Sequence, residues 1–142
     1  MRKIGYAAEM QIEKSYRLPF ARQRVFTAWV SSETVVAPAI RMFVEPWVGG
    51  AYHLFMDDTD APSMAGTFLE VSEHQSLRYT WEWFGDGHVS EVAVQFTDDG
   101  EGTLISLSHG GFHSVESYQA HDLGWDSYVR GVTNILKRQA PK

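Results

Sequence analysis

Segment 114–137 decides what this chain can fold into. Read at 3.6 residues per turn, it places Tyr118, His121, Trp125, Tyr128, Val129, Val132, Ile135 and Leu136 on one stripe. Asp126, Ser127, Arg130, Asn134, Lys137 and Arg138 fall on the opposite face. A stripe this apolar needs a surface to cover. Ser114 is placed to cap the first turn, Glu116 suits the positive end of the helix dipole, Lys137 and Arg138 suit the negative end, and Pro141 stops the helix. Most of the chain before this segment alternates with a period of two, so the surface expected beneath the helix is a sheet.

In residues 10–18, Met10, Ile12, Tyr16 and Leu18 alternate with Gln11, Glu13, Ser15 and Arg17, and Lys14 alone breaks the apolar side. Pro19 ends that strand. Val25, Phe26, Trp29 and Val30 then mark a short helix over 21–30. A second short helix is expected from Ser31 or Ser32, closed by Ala37-Pro38. Strands are expected over 40–45, 51–56, 67–71, 77–84, 89–97 and 103–109, joined by short polar or glycine-bearing links that favour antiparallel neighbours. Alternation turns Tyr52, Leu54 and Met56 to one side, together with Leu77, Tyr79, Trp81 and Trp83. Val92, Val94 and Phe96 join them, as do Ile105, Leu107 and His109. The expected class is α+β: an antiparallel sheet of about six or seven strands wrapped around one long C-terminal helix, with two short helices after the first strand, all in one domain over 1–142.

Composition narrows the function classes. With 142 residues, 44% of them hydrophobic and 13% aromatic, the chain is expected to build one real core. The absence of cysteine removes disulfides, thiolate metal sites and a thiol nucleophile. A formal net charge of −6 opposes nucleic-acid and anionic-membrane binding. No stretch approaches the roughly 18 apolar residues of a membrane span, and the N-terminus lacks an apolar signal region, so a soluble, cytoplasmic protein is expected.

His109, His113 and His121 raise a metal hypothesis, but a strand end, a loop and a helix are not a ligand spacing, and no metal or cofactor is expected. Glu82 and Glu91 are the nearest carboxylate pair, and alternation sends both to the face away from the helix. Val48-Gly49-Gly50 reads as a turn or bulge before a strand. Gly124, inside the long helix, is expected to permit close approach to the sheet or a kink. The facing set Tyr79, Trp81, Trp83, His121, Trp125 and Tyr128 is too bulky to tile a narrow gap, so a cavity is expected among these rings. No Arg or Lys is expected on the inward faces, which favours a flat, aromatic or sterol-like ligand with one or two oxygens over a charged metabolite.

Several words of the sequence resemble one family: Val25-Phe-Thr-Ala-Trp29, Val48-Gly-Gly-Ala-Tyr52, Gly66-Thr-Phe-Leu-Glu-Val71, Leu77-Arg-Tyr-Thr-Trp81, Gly102-Thr-Leu-Ile-Ser-Leu-Ser-His109 and His121-Asp-Leu-Gly-Trp125. In that order they look like the heat-shock-protein-90 ATPase activator homologue branch of the START-related, birch-pollen-allergen-like helix-grip superfamily. Residues 35–40 depart from the tryptophan-rich stretch that many members carry. The resemblance implies a cavity between sheet and helix, here assigned Tyr52, Leu54, Phe68, Tyr79, Trp81, Trp83, Phe96, His109, His121, Trp125 and Tyr128 as ligand-binding residues. The leading expectation is non-catalytic binding of a small hydrophobic or aromatic ligand. A chaperone-associated interaction module with a packed interior is the alternative from another class, and cofactor-free cyclase or hydrolase chemistry by His109, His121 and a tyrosine is the third. A chaperone, another protein or a second copy in a homodimer is compatible as partner.

Overall fold

The computed structural model describes residues 10–30, 39–83 and 87–139. In chain order these form β1 (Ile12–Leu18), α1 (Arg22–Val30), β2 (Arg41–Val44), β3 (Ala51–Phe55), β4 (Met64–Ser72), β5 (Ser76–Trp83), β6 (Val89–Asp99), β7 (Gly102–Gly110) and α2 (Val115–Gln139). The strands make one antiparallel sheet in the order β1-β7-β6-β5-β4-β3-β2. This is the α+β architecture that the alternation predicts. The second short helix expected after β1 lies at 31–38, outside the described residues, as do Phe84 and most of the 35–40 departure.

Period-two alternation holds strand by strand. Leu77, Tyr79 and Trp81 on β5, Val92, Val94 and Phe96 on β6, and Ile105, Leu107 and His109 on β7 are all buried under α2 and α1. β4 begins at Met64, three residues before the expected Thr67. The stretch Ala65-Gly66 hides this extension, because a Cβ on Gly66 would sit 2.0 Å from the Thr80 carbonyl oxygen. Close backbone approach therefore demands a residue type that reads as loop.

Ser114 caps α2 as expected, its hydroxyl accepting from the Ser117 N–H at 3.0 Å. Trp125, Tyr128, Val129, Val132, Ile135 and Leu136 are buried, while Tyr118 and His121 at the near end are half-buried. α1 closes the opposite end of the sheet. Its Phe26 and Trp29 rings meet Phe96 edge-on at 5.4 and 5.7 Å, and Trp29 stacks on Trp125 of α2 at 6.0 Å with 13° between planes. These geometries are the favourable ones for aromatic pairs.

Lys14 and Asp126 correct the simple two-face picture. Lys14 lies on the helix side of β1, donating to the Asp122 carbonyl at 2.7 Å and to Asp126 Oδ1 at 2.9 Å; Tyr16 donates to the same carboxylate oxygen at 2.8 Å. An inward lysine does exist, then, and it straps β1 to α2. Asp126 is not simply solvated, and hydrogen bonds from Lys14 and Tyr16 hold its carboxyl below the ordinary range. Removing the strap in Lys14→Ala should cost about 1 to 2 kcal/mol in urea unfolding, less at high salt, since the group is only partly buried. An unchanged midpoint would show that the pair is too well solvated to matter.

Candidate ligand pocket

At the end of the sheet away from α1, the helix and the strands do not close on each other. A cavity of about 270 Å³ lies between the N-terminal half of α2 and the ends of β3 and β5. The sheet side supplies Leu54, Trp81 and Trp83, with Met56 just past β3. The helix side supplies Ala120, His121, Gly124, Trp125, Ser127 and Tyr128, and Ala39 completes the wall. Ala120, Gly124 and Ser127 are exposed and mark its opening to solvent. Among the described residues no lining side chain is an acid, a lysine or an arginine.

Of the residues named from the sequence, Leu54, Trp81, Trp83, His121, Trp125 and Tyr128 line this cavity. Tyr52, Phe68, Tyr79, Phe96 and His109 do not; all are buried at or below 3% exposure in the packed core behind it. Expecting the rings to leave voids among all of them overlooked how well they tile. Tyr52 stacks on Tyr79 at 4.6 Å, and Phe68 meets both edge-on at 5.7 and 5.5 Å. Met56 was already on the inward side of its strand. Ala39, Ala120, Gly124 and Ser127 were missed, and the signal available for the last three was their helical spacing of four and three residues beside the aromatic stripe.

Two hydrogen-bond networks fix the pocket floor. In the first, the Trp81 indole donates to His121 Nε2 at 3.0 Å, and His121 Nδ1 donates to the Ser117 carbonyl at 2.7 Å. In parallel the Trp125 indole donates to His109 Nδ1 at 3.0 Å, so the His109 proton sits on Nε2 and is given to Ser90 Oγ at 2.7 Å. Ser90 in turn donates to the Trp81 carbonyl at 3.3 Å. These partners assign both tautomers, since an indole can only donate and a carbonyl can only accept. Burial, then the nearby His121, push the His109 pKa down to about 3, which keeps the ring neutral.

The second network joins Trp29, Tyr52, Tyr79 and Tyr128. The Trp29 indole donates to the Tyr79 hydroxyl at 3.2 Å, the Tyr52 and Tyr128 hydroxyls bond each other, and the Trp29 carbonyl accepts from Tyr128 at 3.4 Å. Burial raises the pKa of all three phenols. Among the described residues no buried side-chain polar atom is left without a partner.

This satisfaction bears on catalysis. Ser90 and His109 stand at the distance of a nucleophile and its base, yet the lone pair of His109 points at Trp125 and its proton points at Ser90. The ring therefore faces Ser90 as a donor, the wrong tautomer to take a serine proton. Glu82 and Glu91 do not form a catalytic pair either: Glu91 pairs with Arg78, and Glu82 accepts from the Gly87 N–H at 2.9 Å on the outer face. His88 and His113 stack at 3.8 Å, but among the described residues no three acidic or histidine side chains gather as metal ligands.

Gly124 corrects another expectation. α2 runs unbroken through it, and among the described residues nothing lies within 4 Å of a Cβ built there. Close approach to the sheet therefore does not account for a glycine that costs the helix about 1 kcal/mol relative to alanine. What the missing side chain leaves open is the pocket wall.

A seven-stranded antiparallel sheet gripping one long helix, with an apolar cavity at one end, defines a helix-grip protein of the START-related class. Within it, the chain belongs to the family described as activator of Hsp90 ATPase homolog 1-like protein, whose sequence profile matches residues 19–137. No curated protein matches it in sequence. Among solved structures, a protein from Mesorhizobium loti is similar with a TM-score of 0.78 and 17% identity, over 92% of this chain and 99% of that one. An Hsp90 activator from Plasmodium falciparum has a TM-score of 0.77 and 20% identity, over 90% and 96%. CalU16 from Micromonospora echinospora has 0.71 and 18%, over 88% and 74%. At these identities the likeness is one of fold. No described helix is long and apolar enough to cross a membrane.

Proposed function

We propose that the chain binds a small, uncharged hydrophobic ligand in the pocket between α2, β3 and β5. The observation that carries this reading is the cavity of about 270 Å³ whose described lining is aromatic and aliphatic, with no charge and with its polar tips already oriented. Small-molecule sites have this character, apolar walls with a few fixed polar groups. Binding, not turnover, suits the assigned tautomers and the neutral phenols behind the wall.

Tryptophan fluorescence titrated with a panel of neutral aliphatic and aromatic compounds tests it. Saturable binding is expected, weakened about tenfold or more by Trp81→Leu, which removes a ring from the wall. A panel with no binder would sink the reading. A second reading, a chaperone-associated module, is supported by family membership and by the exposed apolar residues Ile40, Phe43, Trp47 and Val48 at and beside β2. It predicts that added protein stimulates Hsp90 ATPase turnover and that Trp47→Ser reduces the effect.

A further inference from the structure

We propose, resting on the ligand-binding reading above, that the pocket selects a neutral, flat aromatic molecule of one or two fused rings, and that Gly124 sets its size limit. Three indoles carry the first part. Trp81 and Trp125 stand 5.2 Å apart, tilted by 46°, and Trp83 lies edge-on to His121 at 5.9 Å. These rings touch one another, so a flat ring lying against the faces and edges they turn to the cavity gains offset and edge contacts that an aliphatic chain of equal area does not. Charge is excluded by the lining: no described carboxylate offsets the desolvation of a cation, and no described Lys or Arg that of an anion. Size follows from volume. A cavity of about 270 Å³ falls just below the range of roughly 300 to 1,000 Å³ that holds drug-sized ligands, so a four-ring sterol does not fit.

Gly124 carries the second part. It sits inside a regular helix, and nothing described approaches the place where its Cβ would be. Alanine would satisfy the backbone better and meet no described neighbour, so the residue's distinct consequence is the space it leaves on the wall. A methyl there would narrow the cavity at its opening, where Gly124 stands. Ser127, one turn further along the same wall, offers a hydroxyl near the opening to a ring oxygen.

The experiment titrates wild type and Gly124→Ala with phenol, 2-naphthol, pyrenol, octanol and choline, following tryptophan fluorescence, and records both melting curves. In wild type 2-naphthol should bind most tightly, with pyrenol, octanol and choline at least tenfold weaker. In Gly124→Ala the melting temperature should rise by roughly 2 to 4 °C, phenol should bind as before, and 2-naphthol should lose at least tenfold. Octanol or choline binding better than 2-naphthol would overturn the aromatic assignment while leaving a ligand site in place. Unchanged discrimination between phenol and 2-naphthol in a stabilised Gly124→Ala would overturn the role of Gly124 alone. Silence from every compound in wild type would overturn the ligand-binding reading itself and this proposal with it.

Discussion

Trp125→Ala should destabilise the protein by about 3 to 5 kcal/mol, measured as the urea unfolding free energy by circular dichroism. The indole is 3% exposed and holds three relations at once. It stacks on Trp29, leans on Trp81 at 5.2 Å, and donates to His109. Alanine empties the junction between both helices and the sheet and leaves His109 Nδ1 without its donor, a further loss of roughly 1 to 3 kcal/mol unless water enters from the adjoining pocket. Trp125→Phe helps to separate these effects, because it keeps one aromatic ring in the site while removing the N–H. A cost for phenylalanine near that for alanine would mean that the hydrogen bond dominates. A stability for alanine within error of wild type would mean that α2 grips the sheet by a different face.

The fold was legible because its signals are local and periodic. Tyr79, Trp81 and Trp83 alternate against Thr80 and Glu82, and Trp125, Tyr128, Val129 and Val132 repeat at helical spacing; each pattern needs no knowledge of its partner. Ser114, Glu116 and Lys137 marked the ends of α2 for the same reason. What local pattern could not supply was pairing. Lys14 broke the apolar side of its strand, and only the approach of Asp122 and Asp126 from α2 makes that side chain comfortable. The start of β4 was lost at Ala65-Gly66, where the neighbouring Thr80 backbone, 14 residues on in sequence from Gly66, dictates glycine.

The pocket was legible by residue class and not by depth. Alternation says which ring faces inward; it does not say whether that ring meets another ring or a void. Tyr52, Tyr79 and His109 point the same way as Trp81 and Trp83, but Trp29 of α1 covers Tyr52 and Tyr79, Phe112 and α2 cover His109, and the space beside Trp81 and Trp83 stays open. The decisive residues for the void are small ones, Ala39, Ala120 and Gly124, which carry no chemistry that a motif search weighs. Their contribution is subtractive, and it becomes visible only when the neighbours are in place.

Acid should expose the buried histidine. His109 is fully enclosed, accepts from Trp125 at Nδ1 and donates to Ser90 from Nε2, so a second proton would have to enter between two facing donors. Its folded pKa of about 3 lies below the ordinary 6.5. As pH falls through 6.5 the unfolded chain takes up a proton at this site and the native protein does not. Stability is therefore flat above 6.5 and declines between 6.5 and 3, by up to about 1.4 kcal/mol per pH unit from this group. His53, lowered chiefly by its partial burial, adds to the same decline, whereas Asp57 and Asp126, whose carboxyls are held down by hydrogen bonds, add theirs only at more acid pH. The window from 7.5 to 4.5 isolates the histidines. Urea midpoints taken across it should fall steeply for wild type and much less for His109→Gln, which has no titrating ring, even though that variant starts from a lower stability. Parallel curves would show that His109 takes its proton inside the native protein, and that the indole-to-imidazole bond beneath the pocket does not hold the ring neutral.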